Sequence, residues 1–265
     1  MKKDFKQFAF TLAETLIVMG IIGVVAALTI PSLTNSTNNK DIVAKVRKAH
    51  TNLEDAFGRM VGTYGEIDEW GGTLDSNTLG KRMIGSMKLT KNCGIAEDDA
   101  NKTCFGAGTQ LFKNGEAVGV EKAEASKDLY KVIKADGVSL GISVSNASCG
   151  ENAGDKVTQD LKEICGFALI DVDGPNKGKN RQGQDLFQFY ITKKGVYPVG
   201  SADDDRFHFE KYCTHTGHDT TAQSPACTAW VVVNANLDYK KATSEGKCQT
   251  NSSKELDFTT NTSCD

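Results

Sequence analysis

The sequence predicts an α+β fold: one long N-terminal helix packed on an antiparallel sheet, with loops stapled by disulfides. Three observations predict it. An apolar run near the N-terminus is too long for an ordinary core element, an amphipathic stretch of helical period continues it, and short apolar segments broken by turn pairs follow. All eight cysteines lie beyond the apolar run.

The run extends from Thr15 to Leu33, with Glu14 at its start. At about 1.5 Å per residue it is long enough to cross a bilayer. A carboxylate in lipid is costly, so Glu14 needs a reason to be there. Lys2, Lys3 and Lys6 precede the run against Asp4, and Lys40, Lys45, Arg47 and Lys48 follow it after the uncharged stretch 35–39. The basic residues nearest the membrane are therefore N-terminal, which favours a cytoplasmic N-terminus and an exported body. A cleaved secretory signal has a shorter apolar core and a small-x-small exit. A plain signal anchor explains the length but not Glu14.

The helix continues beyond the membrane segment. From Lys40 to about Val61, Ile42, Val46, Ala49, Leu53, Phe57 and Met60 recur at helical spacing, with Lys45, Arg47, Lys48, Glu54 and Asp55 on other faces. Pro31, between the two parts, is expected to kink or locally melt the helix. Gly62 is the expected C-terminal stop. Gly20 and Gly23 are compatible with close helix approach.

Tyr64 to Lys91 reads as loop with a short helix. Strands are predicted at 129–135 and 138–144 around Asp136-Gly137, at 167–172, and at 186–192 leading through Lys193-Lys194-Gly195 to Val196 and Tyr197. Trp230 to Val233 is predicted as a final strand. The expected organisation is a leader at 1–9, the long helix at 10–62 and a globular domain at 63–265.

An even number of cysteines in an exported chain reads as disulfides. The pairing stays open. Sequential pairing, Cys93 with Cys104, Cys149 with Cys165, Cys213 with Cys227 and Cys248 with Cys264, closes four modest loops and ties down a polar tail. The formal net charge of −3 argues against a nucleic-acid coat, and no nucleic-acid partner is expected.

The segment Ala9-Phe10-Thr11-Leu12-Ala13-Glu14, behind a short basic leader, resembles the prepilin cleavage and methylation motif of type IV pilins and type II secretion pseudopilins. The resemblance implies that a prepilin peptidase cuts between Ala9 and Phe10 and that Phe10 is then N-methylated. Ala9 stands where the family most often has Gly, and Pro31 matches a helix-kinking proline common in the family. The resemblance further implies a single-pass inner-membrane protein with a periplasmic C-terminal domain, assembled with other pilin or pseudopilin subunits into an extracytoplasmic fibre. Membrane lipid, an inner-membrane assembly platform and a cytoplasmic ATPase are the remaining implied partners. In the fibre, Glu14 pairs with a cationic Phe10 amine and sets axial stagger. Two rivals remain: an anchored binding module that does not polymerise, and a secreted protein cut after the apolar run. Two later stretches, Ile170–Gly178 continuing to Asp185–Phe189, and Cys227–Trp230 followed by Asn236–Tyr239, also look like parts of family members with this layout.

Asp171-x-Asp173-Gly174 with Asp185 downstream resembles an oxygen-ligand calcium loop, against a plain Asp-Gly turn. Cys213-x-His215-x-x-His218 has zinc-ligand types, but a disulfide at Cys213 removes the thiolate. Asp203-Asp204-Asp205 reads as a solvated turn, Trp70 and Trp230 as packing residues, and sequons such as Asn101-Lys102-Thr103 as polar-loop coincidences. The chain carries no Gly-x-Ser-x-Gly, Walker loop or His-Glu-x-x-His, and no enzymatic activity is expected.

Overall fold

The computed structural model describes residues 11–70, 74–95, 103–106, 110–113, 116–124, 126–175, 177, 180–214, 225–243 and 245–264, the side chains at 31–36, 110–113, 116–122, 211 and 214 aside. The chain divides into two compact units, Met1–Asp41 and Ile42–Asp265. Helix α1, Leu12–Tyr64, carries residues of both.

In the first unit, Leu12–Ile30 is a 19-residue helical stretch apolar enough to cross a membrane, with none of it buried. Helical backbone continues through Pro31, so the expected local melting does not occur. Neighbouring turns hold the backbone there although proline removes one donor from the ladder.

The second unit begins inside α1. Val46, Ala49, Leu53, Phe57 and Met60 are buried in its main core, Ala56 is also buried, and Ile42 is partly buried against the core. The helix outruns the expected stop at Gly62 and ends at Tyr64. Gly65 is the true terminator: it adopts φ +79° and its N–H donates to Val61 O at 2.9 Å.

The stretch 64–91 is more structured than a loop. It holds a one-turn 3-10 helix, Ile67–Glu69, then α2, Ser76–Ile84, and the start of β1, Leu89–Gly94. Asp75 caps α2 by accepting from Thr78 N at 2.7 Å. Ser76 Oγ accepts from Val144 N at 2.8 Å and docks α2 on the sheet.

A hairpin of β2, Gln110–Lys113, and β3, Glu116–Lys122, stands apart from the main sheet. The main sheet adds β4, Tyr130–Lys134, β5, Ser139–Val144, β6, Ile164–Asp171, β7, Leu186–Thr192, and β8, Val196–Pro198. Its order is β1-β4-β5-β6-β7-β8, antiparallel throughout. Every residue of β6 and β7 is buried, so these two strands form the centre of the core. Gly166 of β6 faces Val144, and a Cβ there would lie 1.9 Å from Ser143 O, so the strands touch only because this residue is glycine.

The predicted strand at Trp230–Val233 is instead helical: α3 spans Cys227–Asn234. A short apolar run has no decisive period, and tertiary context selects here. Where β8 ends, α3 docks on the same edge: Gln188 N of β7 donates to Thr228 Oγ1 at 2.9 Å, and Ala229 N donates at 2.9 Å to the carbonyl of Val199, just past β8. A two-stranded ladder of β9, Lys247–Cys248, and β10, Asn251–Glu255, closes the chain.

Candidate functional site

The first candidate site is the start of α1. Glu14 Oε2 accepts from Thr11 N at 2.9 Å and from Thr11 Oγ1 at 2.8 Å, while Glu14 N donates to Thr11 Oγ1 at 3.2 Å. Thr11 and Glu14 thus form a reciprocal capping box, Thr-x-x-Glu. It satisfies otherwise orphaned helix-end donors and places a carboxylate at the positive end of the helix dipole. The Thr-x-x-Glu spacing is visible in the sequence, inside the motif segment, as a capping signature. Ala9 and Phe10 lie outside the described residues, and so does the side chain of Pro31.

The second candidate is the loop between β6 and β7. Asp171 is fully buried, and its Oδ1 accepts from Asp173 N at 3.2 Å and Gly174 N at 3.1 Å. Burial pushes the Asp171 pKa up to about 8, helped by a side-chain contact with Asp173 and by the negative charges of Asp173 and Asp185. Asp185 Oδ1 accepts from Arg181 N. Its carbonyl accepts from Val172 N at 2.9 Å and joins the two feet of the loop. Among the described residues no group of three or more His, Cys, Asp or Glu is arranged to hold a metal. Two residues absent from the sequence reading, Asn180 and Gln182, bring buried side-chain oxygens to the same loop. Asn180 sits at φ +50°, and its Nδ2 and Pro175 O each lie 2.7 Å from where a Cβ on Gly106 would be.

The remaining candidates are structural. Asp204 is fully buried, a correction to the solvated-turn reading. Its Oδ2 accepts from Tyr190 OH and Gly200 N, both at 2.9 Å, and its Oδ1 from Phe207 N at 2.8 Å and Arg206 N at 3.1 Å. Burial raises its pKa against the pull of these donors. Trp230 stacks on Phe209 with ring centroids 4.5 Å apart, and Arg82 lies 4.0 Å over the Trp70 ring. Disulfides join Cys93–Cys104, Cys149–Cys165, Cys213–Cys227 and Cys248–Cys264. Cys213 thus has no thiolate for a metal; His215 and His218 lie outside the described residues.

No curated protein and no solved structure matches the chain. A family match covers residues 4–30, described as the Prokaryotic N-terminal methylation motif. It spans the Thr11–Glu14 box and the apolar stretch Leu12–Ile30, and so coincides with the first candidate site. The chain carries, at residues 4–30, the signature of type IV pilins and pseudopilins.

Proposed function

We propose that this protein is a structural, non-catalytic subunit of a type IV pilus-like fibre or a type II secretion pseudopilus. One observation carries the reading: a glutamate at the head of an unburied apolar helix, inside the matched methylation motif. In this reading the N-terminus is cytoplasmic and the body is periplasmic until assembly. A prepilin peptidase cuts between Ala9 and Phe10, and Phe10 is N-methylated. Membrane lipid stores the helix, and an inner-membrane platform extracts it. Helix packing then supplies cohesion.

Glu14 has two tasks in sequence. In the membrane its Oε2 is engaged by Thr11, which lowers the cost of holding a carboxylate there. In the fibre the carboxylate meets the Phe10 amine, of its own chain or of a neighbour. Only the correct stagger compensates both ions, so Glu14 sets register.

The test is intact mass and N-terminal sequencing after expression with and without a prepilin peptidase, followed by assembly of Glu14→Ala. A peptidase-dependent start at Phe10, with Glu14→Ala inserting normally but yielding few fibres, is expected. An intact Met1, beside a control prepilin that is cut, overturns the reading in favour of a permanent anchor. A start beyond Ala27 overturns it in favour of secretion.

A further inference from the structure

A cavity of about 450 Å³ opens between the 3-10 turn at Ile67–Glu69, helix α2 and the loop that follows β5. Its size suits a small ligand of one or two rings. All of it lies in the unit from Ile42 onward. Ile67, Trp70 and Leu74 form its apolar lining, and Asp68, Thr78 and Arg82 contribute polar groups.

Arg82 is the unusual member. Its guanidinium carbon lies 4.0 Å from the centre of the Trp70 ring and 4.8 Å from that of Tyr64. Trp70 is itself fixed, because its Nε1 donates to Gly65 O at 3.0 Å. Such stacking takes up the face of a guanidinium and leaves its edge of N–H donors for a partner. Among the described residues no carboxylate or carbonyl accepts from that edge. The two structural duties open to Arg82 do not account for this. A cation in the last turn of α2 favours the helix dipole, but Lys81 supplies one there already and the dipole needs no aromatic cradle. Packing on rings needs no charge turned to a cavity. Lys193, the other cation in the lining, has Glu163 Oε1 3.7 Å away, so Arg82 is the lining cation without a counter-ion. The side chains of Asp68 and Thr78 likewise make no hydrogen bond among the described residues.

We propose that this cavity binds a sugar acid, with its carboxylate on the Arg82 fork and its hydroxyls on Asp68 and Thr78. A planar carboxylate matches the guanidinium fork through two parallel hydrogen bonds. One unpaired cation beside Asp68 favours a single negative charge over a phosphate dianion. Asp68 accepts from hydroxyls, and Thr78 both accepts and donates. The apolar lining suits the C–H faces of a sugar ring. An extended peptide would need a strand edge for its backbone, and no lining residue belongs to a strand. The site is independent of the fibre reading and is measured on unassembled protein.

The experiment is isothermal titration calorimetry of the full-length chain, held in a detergent without a sugar headgroup, with glucuronate, glucose and N-acetylglutamate as separate probes. Glucuronate is expected to bind saturably with a Kd of about 10 mM or tighter, and at least about tenfold more tightly than either other probe. Arg82→Lys keeps the charge but loses the fork; it is expected to show a wild-type near-UV spectrum and unfolding midpoint and to weaken glucuronate binding at least about tenfold. Thr78→Val is expected to weaken it less. Absence of saturable glucuronate binding overturns the proposal, as does undiminished binding by Arg82→Lys. Equal binding of glucose overturns the role of the carboxylate, and equal binding of N-acetylglutamate overturns the choice of a sugar.

Discussion

At the scale of single residues, Asp204 shows how far composition can mislead. Three consecutive aspartates read as a solvated turn, yet the middle one is fully buried under four donors. Its neighbours Asp203 and Asp205 are exposed, so the local charge pattern is correct for two residues of three. The legible clue was Phe207, too apolar for a solvated turn. Asp204→Ala would strand Tyr190 OH and three backbone N–H groups, and is expected to cost at least about 3 kcal/mol by urea unfolding. Asp204→Asn, keeping one acceptor oxygen, should cost less. The group also leaves a pH signature. Its folded pKa is raised, so its stabilising contribution is complete below the unfolded value of about 3.9 and is lost as pH rises through the folded value. The wild-type stability curve should therefore slope downward relative to that of Asp204→Asn just above pH 4. Glu14 shows the opposite case: its oddity was plain in the sequence, while its local partner Thr11 emerged only with geometry.

At the scale of elements, legibility followed period and turn chemistry. The amphipathic half of α1 and the strands β4, β5, β6 and β7 were read close to their observed bounds, because both turn pairs and apolar spacing marked them. The failures fell where neither signal existed. β1 carries exposed Thr90 and Asn92, partly exposed Lys91 and a disulfide cysteine, and has no apolar stripe. α3 has five buried residues in a row, a pattern that serves a buried helix or a buried strand equally. Only its position beside β7 selects the helix. The β6–β7 loop was half legible: the aspartates announced themselves, while Asn180 and Gln182 are ordinary loop residues until their oxygens are found buried. Gly166 offers a test of the central sheet. Gly166→Ala forces a Cβ to within 1.9 Å of Ser143 O, so β5 and β6 must separate. The expected loss is about 3 kcal/mol or more by chemical denaturation, in the range of severe overpacking.

At the scale of the whole molecule, all four disulfides lie in the unit from Ile42 onward, and each joins cysteines adjacent in the cysteine order. Two of them anchor on the main sheet, through Cys93 in β1 and Cys165 in the central strand β6, and the other two lie outside it. The final bridge is the clearest case. Cys264 is held by its bond to Cys248 and by its N–H to Asp238 Oδ2 at 2.9 Å, while much of the intervening segment is exposed. The double variant Cys248→Ser, Cys264→Ser is expected to lose about 3 kcal/mol and to become sensitive to protease between these positions, with the six-stranded sheet still protected in hydrogen exchange. The borders of that sheet carry one more consequence. β1 is broken by two register shifts, and β8 is three residues long and ends in Pro198, after which α3 covers β7. Neither border offers a straight row of free amides and carbonyls to a second chain. The six-stranded sheet therefore gives crowded copies of this protein a poor template for pairing strand to strand.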